Sequence, residues 1–300
     1  MTRVAPGNRF TPGDWAAALA VALLWGGNVV AVKAAVATLP PFLLAGMRFS
    51  LVALALVPFV RPRRDQLGAI LALSVVLGIG HFGLLFVAVG GMDSASAGIA
   101  VQLSTPFSAL VAWLAYGEAL GWARGIGMAV AFAGVALLAG EPHLTSLTPL
   151  LFMVACTLAW AVSNVMIKRI GPINPLAING GMALFAAPML LGISAATEHD
   201  QWAAVMATTP AGWSGLAYTT IGSTLIAYTL WYRLVARHSL NRVVPFTLLG
   251  PGVALLGGVW LLGEPLTWHK LVGAALTVAG VAVIQLLLPR RADTKQDQTA

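Results

Sequence analysis

Trp25-Gly26-Gly27-Asn28-Val29-Val30-Ala31-Val32-Lys33 decides how this chain is read, because an altered copy, Trp160-Ala161-Val162-Ser163-Asn164-Val165-Met166-Ile167-Lys168, stands 135 positions later. Trp and Lys are eight apart in both copies, and the same shift carries Pro40 onto Pro175 and Met47 onto Met182. Farther along the shift is 145 to 146. There Pro106 answers Pro251, Gly117-Glu118-Ala119-Leu120 answers Gly263-Glu264-Pro265-Leu266, and Trp122, Gly127 and Gly134 answer Trp268, Gly273 and Gly280. The growth of the shift has its source in one connector, short from Arg61 to Gln66 and longer from Thr197 to Ala211. A loop insertion moves the register without touching the repeated unit. One half of the chain is a copy of the other.

The composition says where such a chain lives. Of its 300 residues 59% are apolar and 9% charged, with a mean hydropathy of +0.86, whereas a soluble domain carries about 25% charged residues. The basic excess, 17 Lys and Arg against 10 Asp and Glu, is scattered between apolar runs. A nucleic-acid binder gathers its basic residues with aromatics on one face, so that class is excluded. The single cysteine, Cys156, lies in an apolar run and rules out an intrachain disulfide and a Cys-rich metal site. No cofactor or metal site is expected.

A spanning helix takes about 20 mostly apolar residues. With Pro, Gly and charge as punctuation, the pattern predicts an all-α membrane protein of ten spans, at 15–37, 41–60, 67–89, 95–116, 122–139, 149–168, 175–196, 212–235, 242–262 and 269–288. The organisation is a cytoplasmic segment 1–14, a first repeat 15–139, a second repeat 149–288 and a cytoplasmic tail 289–300. Arg3 and Arg9 ahead of an apolar run ending Ala35-Val36-Ala37 imitate a signal peptide. That reading is rejected, since the run is too long, Lys33 interrupts it and cleavage would delete one member of a repeated pair.

With the N-terminus inside, the inner segments hold fourteen of the seventeen basic residues and the outer side only Lys33 and Lys270, Arg48 lying within a span. Cytoplasmic loops carry the basic excess, so both termini are assigned to the cytoplasm. Five spans per copy is an odd number, which makes the halves inverted repeats. Many secondary transporters are built this way, because exchanging the roles of the halves gives an inward-open and an outward-open state.

Several residues inside the spans carry chemistry. Arg48 lies about eight residues, roughly 11 Å at helical rise, inside the second span, where a centred charge costs about 2.5–3.5 kcal/mol on insertion scales. It is either a partner for a substrate carboxylate or a packing arginine satisfied by backbone carbonyls. His81 is the midplane group that titrates near neutral pH; it carries a coupling proton or is a buried neutral histidine bonded to a neighbouring helix. Asn28, Gln102, Ser163, Asn164, Thr224 and Tyr228 must each find a partner away from lipid. The repeat-related Asn28 and Ser163-Asn164 are expected to face one another and to line a central substrate cavity with Trp25, Trp160, His81, Gln102 and Tyr228. Glu118 and Glu264 stand in matching turns, where helix capping is the expected role. Pro106 and Pro251 fall mid-span, remove a hydrogen bond each and shape or hinge their helices. Gly127-x-x-x-Ala131 and Gly273-x-x-x-Thr277 are small-residue faces for close packing, within the chain or between copies.

Ten helices as two five-helix copies, Trp25-Gly26-Gly27-Asn28 with Lys33, Pro40-Pro41 then Arg48-Phe49, the paired Gly-Glu-x-Leu turns and the Gly-rich last helix of each half together resemble the EamA branch of the drug/metabolite transporter superfamily. Leu44-Ala45-Gly46-Met47-Arg48-Phe49 and the run Tyr228 to Leu249 are most similar to bacterial amino-acid-metabolite exporters, including those for cysteine and O-acetylserine. The resemblance implies a multi-pass protein of the bacterial inner membrane that exports a small-molecule substrate by proton-driven or exchange transport. It also implies a cavity lined by helices one, three, four, six, eight and nine. Two rival classes differ in mechanism. A passive channel would conduct without saturation. An intramembrane serine hydrolase would use Gly212-Trp213-Ser214-Gly215, but Ser214 opens its span at the rim and no membrane-depth histidine follows it at a matching position.

Overall fold

A computed structural model describes residues 10–286 apart from 118, 119, 143, 145, 172 and 239. Glu118, the tail 289–300 and the basic residues Arg3, Arg9, Arg290, Arg291 and Lys295 lie outside the described residues, as does most of the segment 1–14. Among the described residues every regular element is helical. Eight helices are long and apolar enough to cross a membrane: α1 (Pro12–Val36), α3 (Arg64–Gly90), α4 (Ser94–Tyr116), α5 (Trp122–Gly140), α6 (Thr148–Ile170), α7 (Pro175–Thr197), α9 (Val244–Leu262) and α10 (Trp268–Leu286). Between them lie α2 (Pro41–Leu56), apolar but only 16 residues long, and α8 (210–237), a run of three consecutive helical stretches. The long connector expected from 197 to 211 contains a short helix of its own, Gln201–Met206.

Local chemistry fixes the helix ends. α1 begins three residues ahead of the expected boundary because Thr11 and Asp14 form a capping box, with Thr11 Oγ1 accepting from Asp14 N and Pro12 in the first turn. α8 begins two residues early for the same kind of reason, since Thr209 Oγ1 accepts from Gly212 N beside Pro210. α2 stops four residues short of the expected 60: Val57 keeps helical angles and bonds Ala53 O, but Pro58 has no N–H to bond the carbonyl four residues back.

Large apolar side chains face outward, and several polar ones are fully buried within an otherwise apolar interior. Phe59 is 84% exposed, Leu261 77% and Trp260 76%, while Arg48, Lys270, Ser74, Thr157 and Thr219 are fully buried. A helix that is apolar all round suits a lipid-facing position, where water would penalise it.

Glycine sets the closest crossings. α5 and α10 run antiparallel, with Gly127 against Gly280 and Gly134 against Gly273; a Cβ on Gly127 would come within 2.8 Å of the Gly280 carbonyl oxygen, and one on Gly134 within 2.8 Å of that of Gly273. Backbones that approach this far gain dispersion contacts along the whole seam, the main force between helices in lipid. α2 and α7 also cross antiparallel, Gly46 meeting Leu191 and Gly180 meeting Leu56. α1 lies along α9 through Gly26 and Val253 and along α8 through Gly27 and Tyr218. α6 lies along α4 through Asn164 and Ser108 and along α3 through His81 and Cys156.

Five helices depart from α geometry, α5 only in a closing 3₁₀ turn over Leu138–Gly140. α3 is π-helical over Ser74–Gly83 and α8 over Tyr218–Ile226. α4 tightens to 3₁₀ over Val101–Leu103, just ahead of Pro106, and the approach to Pro251 does so over Val244–Leu249. Each proline lacks the N–H that would bond the carbonyl four residues back and crowds that carbonyl. The turn before it rewinds to i→i+3 bonding, so the expected kink takes the form of a 3₁₀ turn. α4 and α9 both end on a glycine in the left-handed region, Gly117 at φ 65° and Gly263 at φ 67°.

Candidate functional site

A small cavity inside the bundle is lined by side chains of α2, α3, α7 and α8, among them Arg48, Phe82, Asn179, Thr224 and Tyr228. Its volume is about 10 Å³, close to the least that holds one water molecule. Of the helices expected around a central cavity, α3 and α8 are present. α2 and α7 take part as well, because Arg48 and Asn179 point inward from their crossing.

Arg48 is 1% exposed. Its Nη2 donates to Thr224 Oγ1 at 2.9 Å, and Nε and Nη1 have no hydrogen-bond partner. The guanidinium lies over Phe82 at 4.6 Å, Phe49 at 5.3 Å and Phe86 at 5.5 Å. Stacking on a desolvated ring returns about 2 kcal/mol, while each buried donor left unmade costs about 1–3 kcal/mol. Among the described residues no carboxylate pairs with this charge. The rings serve the faces of the guanidinium; its edge donors are left for something else.

The π stretch of α8 delivers Thr224. In π geometry the carbonyl five residues back comes under a side chain, and Thr224 Oγ1 donates to Thr219 O at 2.8 Å. Its lone pairs are thereby turned toward Arg48. The π stretch of α3 likewise carries His81, whose Nδ1–H donates to the Cys156 carbonyl at 2.9 Å, with Trp160 packed beside the ring at 4.9 Å between centroids. A carbonyl cannot donate, so Nδ1 holds the proton in this bond.

The remaining expected residues divide. Trp25 donates from Nε1 to Ser223 O at 3.2 Å and packs edge-on against Tyr228, which lines the cavity and neighbours Tyr232. Asn28 is buried with its Oδ1 unpartnered. Ser163 is buried too, but its hydroxyl donates to Trp160 O in its own helix, and Asn164 is exposed and reaches Ser108 on α4. Asn28 makes no contact with Ser163 or Asn164 among the described hydrogen bonds. Gln102 is half-buried in the 3₁₀ turn of α4. Asn179, which donates to Tyr232 Oη at 3.4 Å, was missed. It sits in an Asn-Gly-Gly run that reads as a turn, and only its place opposite Arg48 on the α2–α7 crossing would have flagged it.

Glu264 caps a helix, but not the one that follows it. Its carboxylate accepts from Ser94 N at 2.7 Å and Ala95 N at 3.3 Å at the start of α4, and from Ser94 Oγ at 2.7 Å. Glu198 does the same for α2 through Phe42 N and Leu43 N. At this end of the bundle Lys270, fully buried, pairs with Asp93 at 2.8 Å and lies 3.9 Å from Glu141. Ser214 is exposed and donates to Ala211 O, a hydroxyl spent on its own helix with no base beside it in the described structure.

The sequence pattern of the EamA-like transporter family matches residues 12–140 and again 147–286. The chain is 30% identical over 285 residues, 90% of its length and 94% of the relative's, to an Escherichia coli protein described as a probable amino-acid metabolite efflux pump. A Salmonella typhimurium protein of the same description is 30% identical over 278 residues, 89% of this chain and 92% of that one. A solved crystal structure superposes with a TM-score of 0.62 at 22% identity, covering 90% of this chain and 96% of the other, a likeness of fold. The two matched segments take in nearly all the described helices, and the chain is a member of the EamA-like transporter family.

Proposed function

We propose that this protein is a secondary active transporter that exports small metabolites, amino acids or their derivatives, by alternating access between two inverted five-helix halves, 15–139 and 149–288, in the bacterial inner membrane. The observation that carries this reading is the recurrence of three helical irregularities in matching places of the two halves. The π stretches begin at Ser74 and Tyr218, the 3₁₀ turns precede Pro106 and Pro251, and the left-handed caps are Gly117 and Gly263. The α5–α10 crossing supports it too, since exchanging the halves turns the Gly127–Gly280 contact into the Gly273–Gly134 contact. Two nearly equivalent halves give two states of similar energy, which alternating access requires.

Cargo and direction rest on the relatives described as probable metabolite efflux pumps. Orientation rests on the fourteen-to-two split of basic residues, with both termini cytoplasmic and the Lys270–Asp93 end outside. The site comprises Arg48, His81 and Tyr228, flanked by Trp25, Asn28, Gln102 and Trp160, with His81 carrying a coupling proton; Ser163 and Asn164, bonded here to Trp160 O and Ser108, would join it only on exchanging those bonds. A cavity of about 10 Å³ is closed to an amino acid, so loading needs α3 or α8 to shift at its π stretch. Overexpression in cells loaded with candidate amino acids, with assay of the medium, tests the proposal. Accumulation of one or more is expected; none across a broad panel, with uptake instead, contradicts it. A passive channel, the second reading, would carry flux without saturation.

A further inference from the structure

We propose that the cavity reads the carboxylate of the cargo and gains nothing from its amine, so that the substrate class is monocarboxylates with a largely apolar body, for which an α-amino group is not required. This rests on the transporter reading above and narrows it. Arg48 is a fully buried cation whose Nε and Nη1 are unpartnered and whose side chain lines the cavity. A buried charge is ordinarily paired with an opposite one that accepts its edge hydrogens, and among the described residues no Asp or Glu does so. A carboxylate is the anion whose two oxygens match a guanidinium edge.

The rest of the lining decides what accompanies that carboxylate. Phe49, Val52, Leu77, Phe82 and Met182 form an apolar wall, and the polar groups are the neutral Asn179, Thr224 and Tyr228. An ammonium entering here would meet no carboxylate and would lie near the guanidinium, a like charge in a medium that screens poorly. Diamines and cationic side chains are therefore disfavoured, and a second carboxylate would find no second cation in the lining. A thioether, branched or aromatic side chain has ordinary apolar contacts to make.

The test is calorimetric titration of the purified full-length protein in detergent with leucine, methionine and phenylalanine. Each is offered as the free acid, as its primary amide, and as the acid lacking the α-amino group. At least one acid is expected to bind, its desamino form at least as tightly, and its amide about tenfold to hundredfold more weakly, the range for losing a hydrogen bond to a charge. Arg48→Gln is expected to abolish the acid-over-amide preference and Arg48→Lys to keep part of it. The wild-type series stands alone if either variant fails to fold. Amide binding as tight as acid binding overturns the proposal, as does loss of binding in every desamino acid, or binding by none of the nine compounds. Export of amides and acids alike from loaded cells would overturn it while leaving the transporter reading intact; export of nothing would count against that reading separately.

Discussion

Arg48 and Thr224 are joined by a 2.9 Å hydrogen bond across α2 and α8, and it is the only one recorded for the guanidinium among the described residues. The Thr224 hydroxyl can accept it because its own hydrogen is directed to Thr219 O in the π stretch. Thr224→Val should leave a third guanidinium nitrogen unpaired and lower stability by about 1–3 kcal/mol, whereas Thr224→Ser should stay near wild type. Thermal unfolding of the purified variants in detergent checks the order. Equal melting temperatures for Val and Ser would show that the bond contributes nothing.

The α5–α10 seam gives a second expectation. A Cβ at Gly134 would meet Thr277 N at 2.7 Å and the Gly273 carbonyl at 2.8 Å, while Gly125, on the same helix, has nothing within 4 Å. Gly134→Ala should therefore destabilise by about 1–3 kcal/mol through overpacking against backbone, and Gly125→Ala should be neutral or slightly stabilising. A thermal shift assay of the pair, with wild type alongside, reads the difference.

Lys270 and Asp93 pair with the lysine fully buried and the aspartate partly so. Lys270→Met leaves Asp93 and Glu141 without their cation, a loss of about 3–5 kcal/mol for breaking such a pair. Adding Asp93→Leu should recover part of it, because replacing both partners removes the stranded charge. A double-mutant cycle measures the coupling; strictly additive single effects would mean the 2.8 Å contact is energetically idle.

For the remaining polar residues the hydrogen-bond pattern sets the expected rank. Ser163 spends its hydroxyl on Trp160 O, so Ser163→Ala should leave export within about twofold of wild type. Asn28 Oδ1 is buried and unpartnered, and Asn28→Ala should reduce export several-fold at unchanged membrane abundance. His81→Gln should flatten the pH dependence of export while wild type keeps it. Efflux assays normalised to protein in the membrane fraction check all three.

These ranks also mark where sequence reasoning reached its limit. Helix existence was legible because a 20-residue apolar run has few alternatives in lipid, and Arg48 was legible because a buried charge has to be accounted for. The pairing of Asn28 with Ser163-Asn164 rested on repeat arithmetic, which fixes the position along a helix but not how each side chain is satisfied. Ser163 could bond three residues back along its own turn, and nothing in its neighbours forbade it. Thr224 depends on a π register that periodicity at 3.6 residues cannot reveal, and Asn179 on a helix crossing. Glu264 sits in the turn where capping was expected, yet its reach to α4 is a tertiary contact between halves.

The central claim is that this is a carrier, and counterflow tests it most directly. Purified protein in proteoliposomes preloaded with an unlabelled substrate would be exposed to a trace of the same compound in labelled form. A carrier working by alternating access takes label up transiently above its equilibrium level, saturates with external concentration and stops when the internal pool is removed. Label that only equilibrates, at a rate linear in concentration and indifferent to the internal pool, would contradict the account and mark the protein as a channel.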